Sequence, residues 1–194
     1  MSRTCLALLL LVGAGLWPDR VYADGAWLDE PLASWNTPGT GIPAAPSRTG
    51  TQPDDPRCAR LHRLPETAED AAVSAAGWTL FAAYQAGWGL KLVYGLVGHD
   101  GMCRPLGYQE FIFVDGVFAG TISPAPMDSR TDGAEGRTTI SAGGDAISAQ
   151  FARYADTDPS CCPSRMTSVE YRVNREGAAP VIAPVSAYTA PQTP

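Results

Sequence analysis

The sequence predicts a mainly β protein of the α+β class: an antiparallel sheet or meander of about six to seven strands, with one N-terminal helix, stapled by disulfides. Three observations lead there. From Trp78 onward, apolar residues recur with period two rather than 3.6. Asp115-Gly116 and Gly143-Gly144 each stand between strand-like runs, as hairpin turns do. Four cysteines, Cys58, Cys103, Cys161 and Cys162, lie beyond the first 23 residues, an even set that suits disulfides in an exported chain.

Residues 1–23 have the three parts of a secretory signal. Arg3 supplies a positive start and Cys5 to Leu16 an apolar stretch. Pro18 breaks the helix, and Val21-Tyr22-Ala23 places small residues where a signal peptidase reads, so a cut after Ala23 is expected. The apolar run is shorter than the roughly 20 residues a membrane span needs. Cys5 precedes the run, whereas a lipid-attachment cysteine would follow it. The expectation is a periplasmic or secreted protein with no transmembrane segment once the signal is cleaved.

Residues 24–57 form a Pro-rich extended arm. Six prolines between Pro31 and Pro56 prevent regular structure. Trp27 and Trp35 are expected to pack back onto the domain rather than serve as a ligand platform. The β-rich domain spans 58–185. It opens with a helix from Ala68 to Ala76, capped by Thr67, with Glu69 and Asp70 in its first turn and Gly77 after it.

The strands then follow in order. Trp78 to Tyr84 and Gly89 to Val97 flank a turn at Gln85-Ala86-Gly87. Tyr108 to Val114 and Val117 to Ile122 flank Asp115-Gly116. Arg137 to Ser141 and Ala146 to Tyr154 flank Gly143-Gly144. Thr167 to Val173 alternates, with Val169, Tyr171 and Val173 facing inward. Val181 to Val185 is a weak edge strand interrupted by Pro184, and residues 186–194 read as a disordered tail.

For the cysteines, two long-range bridges are the leading expectation. Cys103 would join one of the Cys161-Cys162 pair, and Cys58 the other, pinning the arm. A bridge between the adjacent pair together with Cys58–Cys103, or metal or redox chemistry, are the alternatives. Zinc is disfavoured because only His62 and His99 are available and no Cys-x-x-Cys occurs.

The charge balance excludes some partners. Asp and Glu total 20 against 14 Lys and Arg, for a net charge of −6, and Lys91 is the only lysine. Nucleic acid binding needs clustered basic residues, so it is not expected. No catalytic motif is present: there is no Gly-x-Ser-x-Gly elbow, no phosphate-cradling glycine pattern, and His99-Asp100 lacks a nucleophile. Met127 to Glu135 half-fits a calcium loop through Asp128, Asp132 and Gly133. Arg130 and Thr139 occupy ligand positions, so no metal or other cofactor is expected.

One polar set remains as a candidate ligand site: Asp100, Arg104, Asp128, Arg130, Asp132 and Arg153, with Asp156 and Asp158 nearby, all in loops or at strand ends. The competing reading is surface ion pairs, each worth under about 1 kcal/mol.

Four segments resemble the LppP/LprE family of bacterial envelope proteins. They are Asp100-Gly-Met-Cys-Arg-Pro105, Tyr108-Gln-Glu-Phe-Ile-Phe-Val-Asp-Gly-Val-Phe-Ala-Gly-Thr121, Pro126-Met-Asp-Ser-Arg-Thr-Asp-Gly133 and Phe151-Ala-Arg-Tyr-Ala-Asp-Thr-Asp-Pro-Ser-Cys-Cys-Pro-Ser164. The resemblance covers roughly residues 78–173 and implies an exported, envelope-associated domain with no assigned reaction and no catalytic residues. The founding lipid-attachment cysteine is not matched here, so anchoring does not carry over. The expected function is therefore a non-catalytic binding or structural role toward a small ligand or envelope component. A hydrolase built on the Asp/Arg loops is the alternative.

Overall fold

The computed structural model describes residues 25–47 and 55–192. The expected signal peptide and its cut after Ala23 lie outside the described residues.

The chain forms three layers. A short 3-10 turn (Ala26–Leu28) starts the arm, and two helices follow, α1 (Pro56–Ala59) and α2 (Ala68–Ala75). The strands are β1 (Thr79–Leu80), β2 (Gln85–Gly87), β3 (Leu90–Leu96), β4 (Gly98–His99), β5 (Pro105–Leu106), β6 (Gln109–Val114), β7 (Val117–Thr121), β8 (Glu135–Ile140), β9 (Ala146–Arg153), β10 (Arg165–Asn174) and β11 (Val181–Pro191). The first sheet runs β1-β3-β6-β7, with β2 also paired to β3. The second runs β11-β10-β9-β8, and β4-β5 form a separate small pair. All pairings are antiparallel.

Strand β6 sits at the centre, and every residue of it is buried. Alternation sends its side chains two ways. Phe111 and Phe113 join Val73, Trp78, Leu80 and Val93 beneath α2 and the arm. Ile112 and Val114 join Leu90, Leu92, Ile147, Phe151, Val169 and Tyr171 between the two sheets. Each large side chain so buried contributes roughly 1.5–3 kcal/mol. In β10, Thr167, Val169, Tyr171 and Val173 are buried while Glu170 and Arg172 are exposed, as the alternation predicts.

Helix α2 also forms as predicted. The Thr67 hydroxyl accepts a hydrogen bond from the Asp70 amide at the N-cap, and Gly77 takes φ 93° just past the end. Asp70 has no accessible surface, and the Arg63 fork grips it at 2.6 Å on both oxygens. Burial opposes its charge, but Arg63 and the Glu66 amide outweigh it and hold the carboxyl below the usual range.

The arm packs on the domain. Trp27 stands edge-on to Trp35 and Phe151, each at 5.1 Å. The Asn36 amide accepts from Thr121 N at 2.9 Å and donates to Thr121 O at 3.0 Å, pairing with the β7 backbone as a strand would. This contact needs Gly120, since a Cβ there would fall 2.3 Å from the Asn36 side chain.

Several expectations are corrected. The strand expected over Trp78 to Tyr84 is only Thr79–Leu80. Ala82 takes φ 54° and the chain turns away. Gln85-Ala86-Gly87 is strand rather than turn. The two-residue hairpin turn falls on Trp88-Gly89, both with positive φ, as a type I′ turn requires. Asp115-Gly116, at φ 49° and 82°, is the turn the sequence indicates.

Strand β8 begins at Glu135, two residues before the expected start, because a bulge interrupts the register between Glu135 and Arg137. The expected disordered tail from residue 186 is instead strand as far as Pro191, since ten-residue β10 offers a full edge for pairing. Pro184 is accommodated beside a register shift that skips Val185.

The leading disulfide expectation is also overturned. Cys58 bonds Cys103, with Cα atoms 5.1 Å apart, tying the start of the domain to the β4–β5 turn. Cys161 and Cys162 stand against each other, and neither bridges to Cys58 or Cys103, which are bonded together. Their loop is shaped by Asp158, whose carboxylate accepts from the Ala155 and Ser164 amides.

Candidate functional site

The six loop residues singled out by sequence do not gather into one site. Asp100 caps its own turn: one oxygen accepts from Met102 N and Arg104 N, the other from Arg104 Nε. Asp128 accepts from Gly107 N at 2.6 Å. Arg130 donates to Ser160 O. Asp132 accepts from Arg153 Nε and Tyr154 N, and Arg153 donates onward to Asp29 in the arm. Arg153 is 3% exposed and serves as the rivet between arm and second sheet. Asp156 is exposed, and Asp158 is used by the cysteine loop.

A different place has the character of a site. A cavity of about 330 Å³ is lined by Phe81, Ala82, Gln85, Tyr94, Pro105, Tyr108, Ser129, Glu135, Gly136, Arg137 and Thr138. That size lies within the range of small-ligand pockets. Its walls are aromatic: Phe81 stands edge-on to Tyr94 at 5.8 Å and to Tyr108 at 6.2 Å. Behind this lining lies Glu110.

The local sequence explains how two acids come together. Glu110 follows Gln109 and precedes Ile112 on the face of β6 that meets the second sheet, so it is buried where an apolar residue belongs. In β8, Gly136 is the extra residue of the bulge: Glu135 pairs with Phe151 and Arg137 with Gln150. The bulge shifts the alternation, so that Glu135 and Thr138, three apart, turn to the same side. Thr138 Oγ1 lies 2.7 Å from Glu110 Oε2 and 3.1 Å from Glu135 Oε1. One hydroxyl has one proton to donate, so it serves only one of the two carboxyls as donor at a time.

No arginine, lysine or histidine is paired with either acid among the described residues. Glu110 Oε1 is buried and has no hydrogen-bonding partner there. Burial raises the pKa of Glu110, and the negative charge of Glu135 adds to the rise. Burial likewise raises that of Glu135. The pair titrates as a unit well above the usual carboxylate range. The phenols around it move the same way: burial, reinforced by the two acids, raises Tyr94, Tyr108 and Tyr171.

The surrounding loops hold the cavity walls. Arg63 Nε donates to the Ala82 carbonyl at 2.7 Å, so the arginine that neutralises Asp70 also positions the rim. The Cys58–Cys103 bond joins the segment that carries His62, bridged to Phe81, to the segment that carries His99, paired with Pro105; the two imidazoles stack at 5.0 Å. Asp128, through Gly107 N, and Ser129 N, bonded to Pro105 O, brace the opposite loop.

Sequence reading missed this site. The available signal was a charged residue inside Tyr108-Gln-Glu-Phe-Ile-Phe-Val114, a segment otherwise apolar enough to be buried on both faces. Glu135 gave none, because it lay outside the expected strand.

Residues 84–176 match the family model described as LppP/LprE lipoprotein. The matched segment contains Glu110, Glu135, Tyr94, Tyr108 and Thr138. No curated protein and no solved structure gives a match. Among the described residues, no helix is long and apolar enough to cross a membrane.

Proposed function

We propose that this chain, which carries the LppP/LprE lipoprotein match, is an exported envelope-associated binding domain whose ligand site is the cavity over Glu110 and Glu135. The observation that carries the reading is the buried Glu110 oxygen without a partner, set behind an aromatic-walled cavity. A buried polar atom left unsatisfied costs about 1–3 kcal/mol, and Glu135, which lines the cavity in front of Glu110, is the acid to which a ligand can donate. The family match and the signal-like first 23 residues support export to the periplasm or beyond.

A binding role is favoured over hydrolysis for two reasons. Glu110 has no accessible surface, so it does not reach a substrate as acid or nucleophile. The Asp/Arg loop groups that a hydrolase would use are already engaged with one another and with the backbone.

Fragment screening by NMR on the exported, signal-free chain tests this reading. Binding is expected to move resonances of Phe81, Tyr94, Tyr108 and Glu135. Hits centred on Asp100, Arg104, Asp132 and Arg153, or no hits at the cavity, would contradict it. Fractionation of the producing cell, with N-terminal sequencing, tests export: the mature chain is expected in the envelope or medium, beginning at Asp24.

A further inference from the structure

We infer that the cavity takes a small zwitterion, seating its ammonium group at Glu135, in front of the buried Glu110, and its anionic group at Arg137. The inference rests on the cavity being the binding site and adds the chemical class of the ligand.

Three observations converge. The floor presents Glu135, with the buried Glu110 behind it, the Thr138 hydroxyl between the two, the Tyr94 phenol beside Glu110, and no cation paired with either acid among the described residues. An ammonium brings three N–H donors and a positive charge, supplying what the floor lacks. The walls are the rings of Phe81, Tyr94 and Tyr108, whose faces attract a cation. At the mouth, Arg137 is exposed and forms no ion pair among the described residues.

That arrangement selects among ligands. A simple anion is repelled by the floor, and a dication by Arg137. A hard metal ion wants six or more oxygen ligands, and no group of three acidic, histidine or cysteine side chains suited to a metal occurs among the described residues. A molecule with opposite charges at its two ends matches both.

Affinity is expected to depend on pH. The groups facing the pair are Tyr94 from β3, Tyr108 before β6, Tyr171 from β10, and Thr138 and Arg137 from β8, with Asp128 near Tyr108. Burial holds the phenols of Tyr94, Tyr108 and Tyr171 well above their ordinary value, so they stay neutral beside the pair. Ammonium binding requires the pair to give up its proton, so affinity rises with pH. An alkylammonium stays charged there, with a pKa near about 10.4, like lysine.

The test is calorimetry and NMR on the signal-free chain with β-alanine, methylammonium, acetate and glycerol. β-Alanine is expected to bind most tightly, and about tenfold more tightly near pH 8.5 than near pH 5.5. Glu135→Gln is expected to weaken it about tenfold. Arg137→Ala, at an exposed position, is expected to abolish the advantage of β-alanine over methylammonium. Acetate or glycerol binding as tightly as β-alanine, or indifference to Arg137→Ala, would overturn the zwitterion while leaving a binding cavity. If no probe shifts the Phe81, Tyr94 and Tyr108 resonances, both readings fall.

Discussion

In the loop and arm contacts, Asp132 faces Arg153, which reaches on to Asp29, and Asp100 closes on Arg104. At the cavity, Glu135 and the buried Glu110 behind it share the Thr138 hydroxyl. Both regions concentrate acids, and the first looks the richer site in the sequence. The difference lies in the cations. Where each carboxylate has an arginine and backbone amides, its charge is neutralised and its lone pairs are occupied, leaving little for a ligand. Where buried Glu110 and half-buried Glu135 stand together with no cation paired to either among the described residues, charge and hydrogen bonding both remain unbalanced. Unmet need, rather than the density of polar residues, separates a site from a structural joint.

The comparison predicts that neutralising an acid has opposite consequences in the two settings. The largest effect is expected where a paired acid loses its cation. Arg63→Ala strands Asp70, which has no accessible surface, and is expected to cost about 3–5 kcal/mol in chemical denaturation. It should also loosen the Ala82 rim. A cost under about 1 kcal/mol would mean that water replaces the guanidinium.

Next comes the staple. Replacing Cys58 and Cys103 together by serine opens a bridge spanning 45 residues and is expected to cost about 2–4 kcal/mol. Amide exchange should rise around His62, Phe81, His99 and Pro105. Unchanged exchange there would show that the cavity wall stands without the bond.

Glu110→Gln is expected to have the opposite sign. The folded pKa of Glu110 is raised, so its contribution is fully present below the ordinary carboxylate range and is lost as pH rises through the folded value. The wild type therefore weakens toward and beyond neutrality. The amide variant escapes that loss and is expected to be more stable near pH 8.5, on the order of 2 kcal/mol, and equal to wild type near pH 4. For Asp70 the folded pKa is depressed. Its stabilisation is present above the ordinary carboxylate range and is lost as pH falls through the folded value, so Asp70→Asn weakens the protein near neutrality. If both variants shift stability in the same direction at neutral pH, the contrast fails.

The smallest effect belongs to Arg104→Ala. Its pair with Asp100 is part-exposed, and the Asp100 turn keeps the Met102 amide. A change under about 1 kcal/mol is expected, shrinking further in high salt. A larger loss would give the loop end an importance that its geometry does not.

Much of the fold is legible in the sequence because short-range rules govern it. Thr67, Glu69 and Asp70 mark a helix start through capping and the macrodipole. Asp115-Gly116 marks a hairpin through positive φ, and Val169, Tyr171 and Val173 mark a buried face. Elements set by long-range partners are read less well. Residues 186–191 have no strand signal of their own and become strand because β10 offers an edge. Cys58 and Cys103 lie far apart in sequence, and their pairing follows from where α1 lands on the β4–β5 turn. The cavity is the extreme case, needing β6 to cross the molecule's centre and a bulge at Gly136 to turn Glu135 inward.

Buried Glu110 and half-buried Glu135 stand together with no cation paired to either among the described residues, and their own titration tests this most directly. Side-chain carboxyl ¹³C shifts of both residues, followed by NMR from about pH 4 to pH 9, are expected to move in coupled steps well above the ordinary carboxylate value of about 4.3. Titration of both near that ordinary value, independently of each other, would contradict the account.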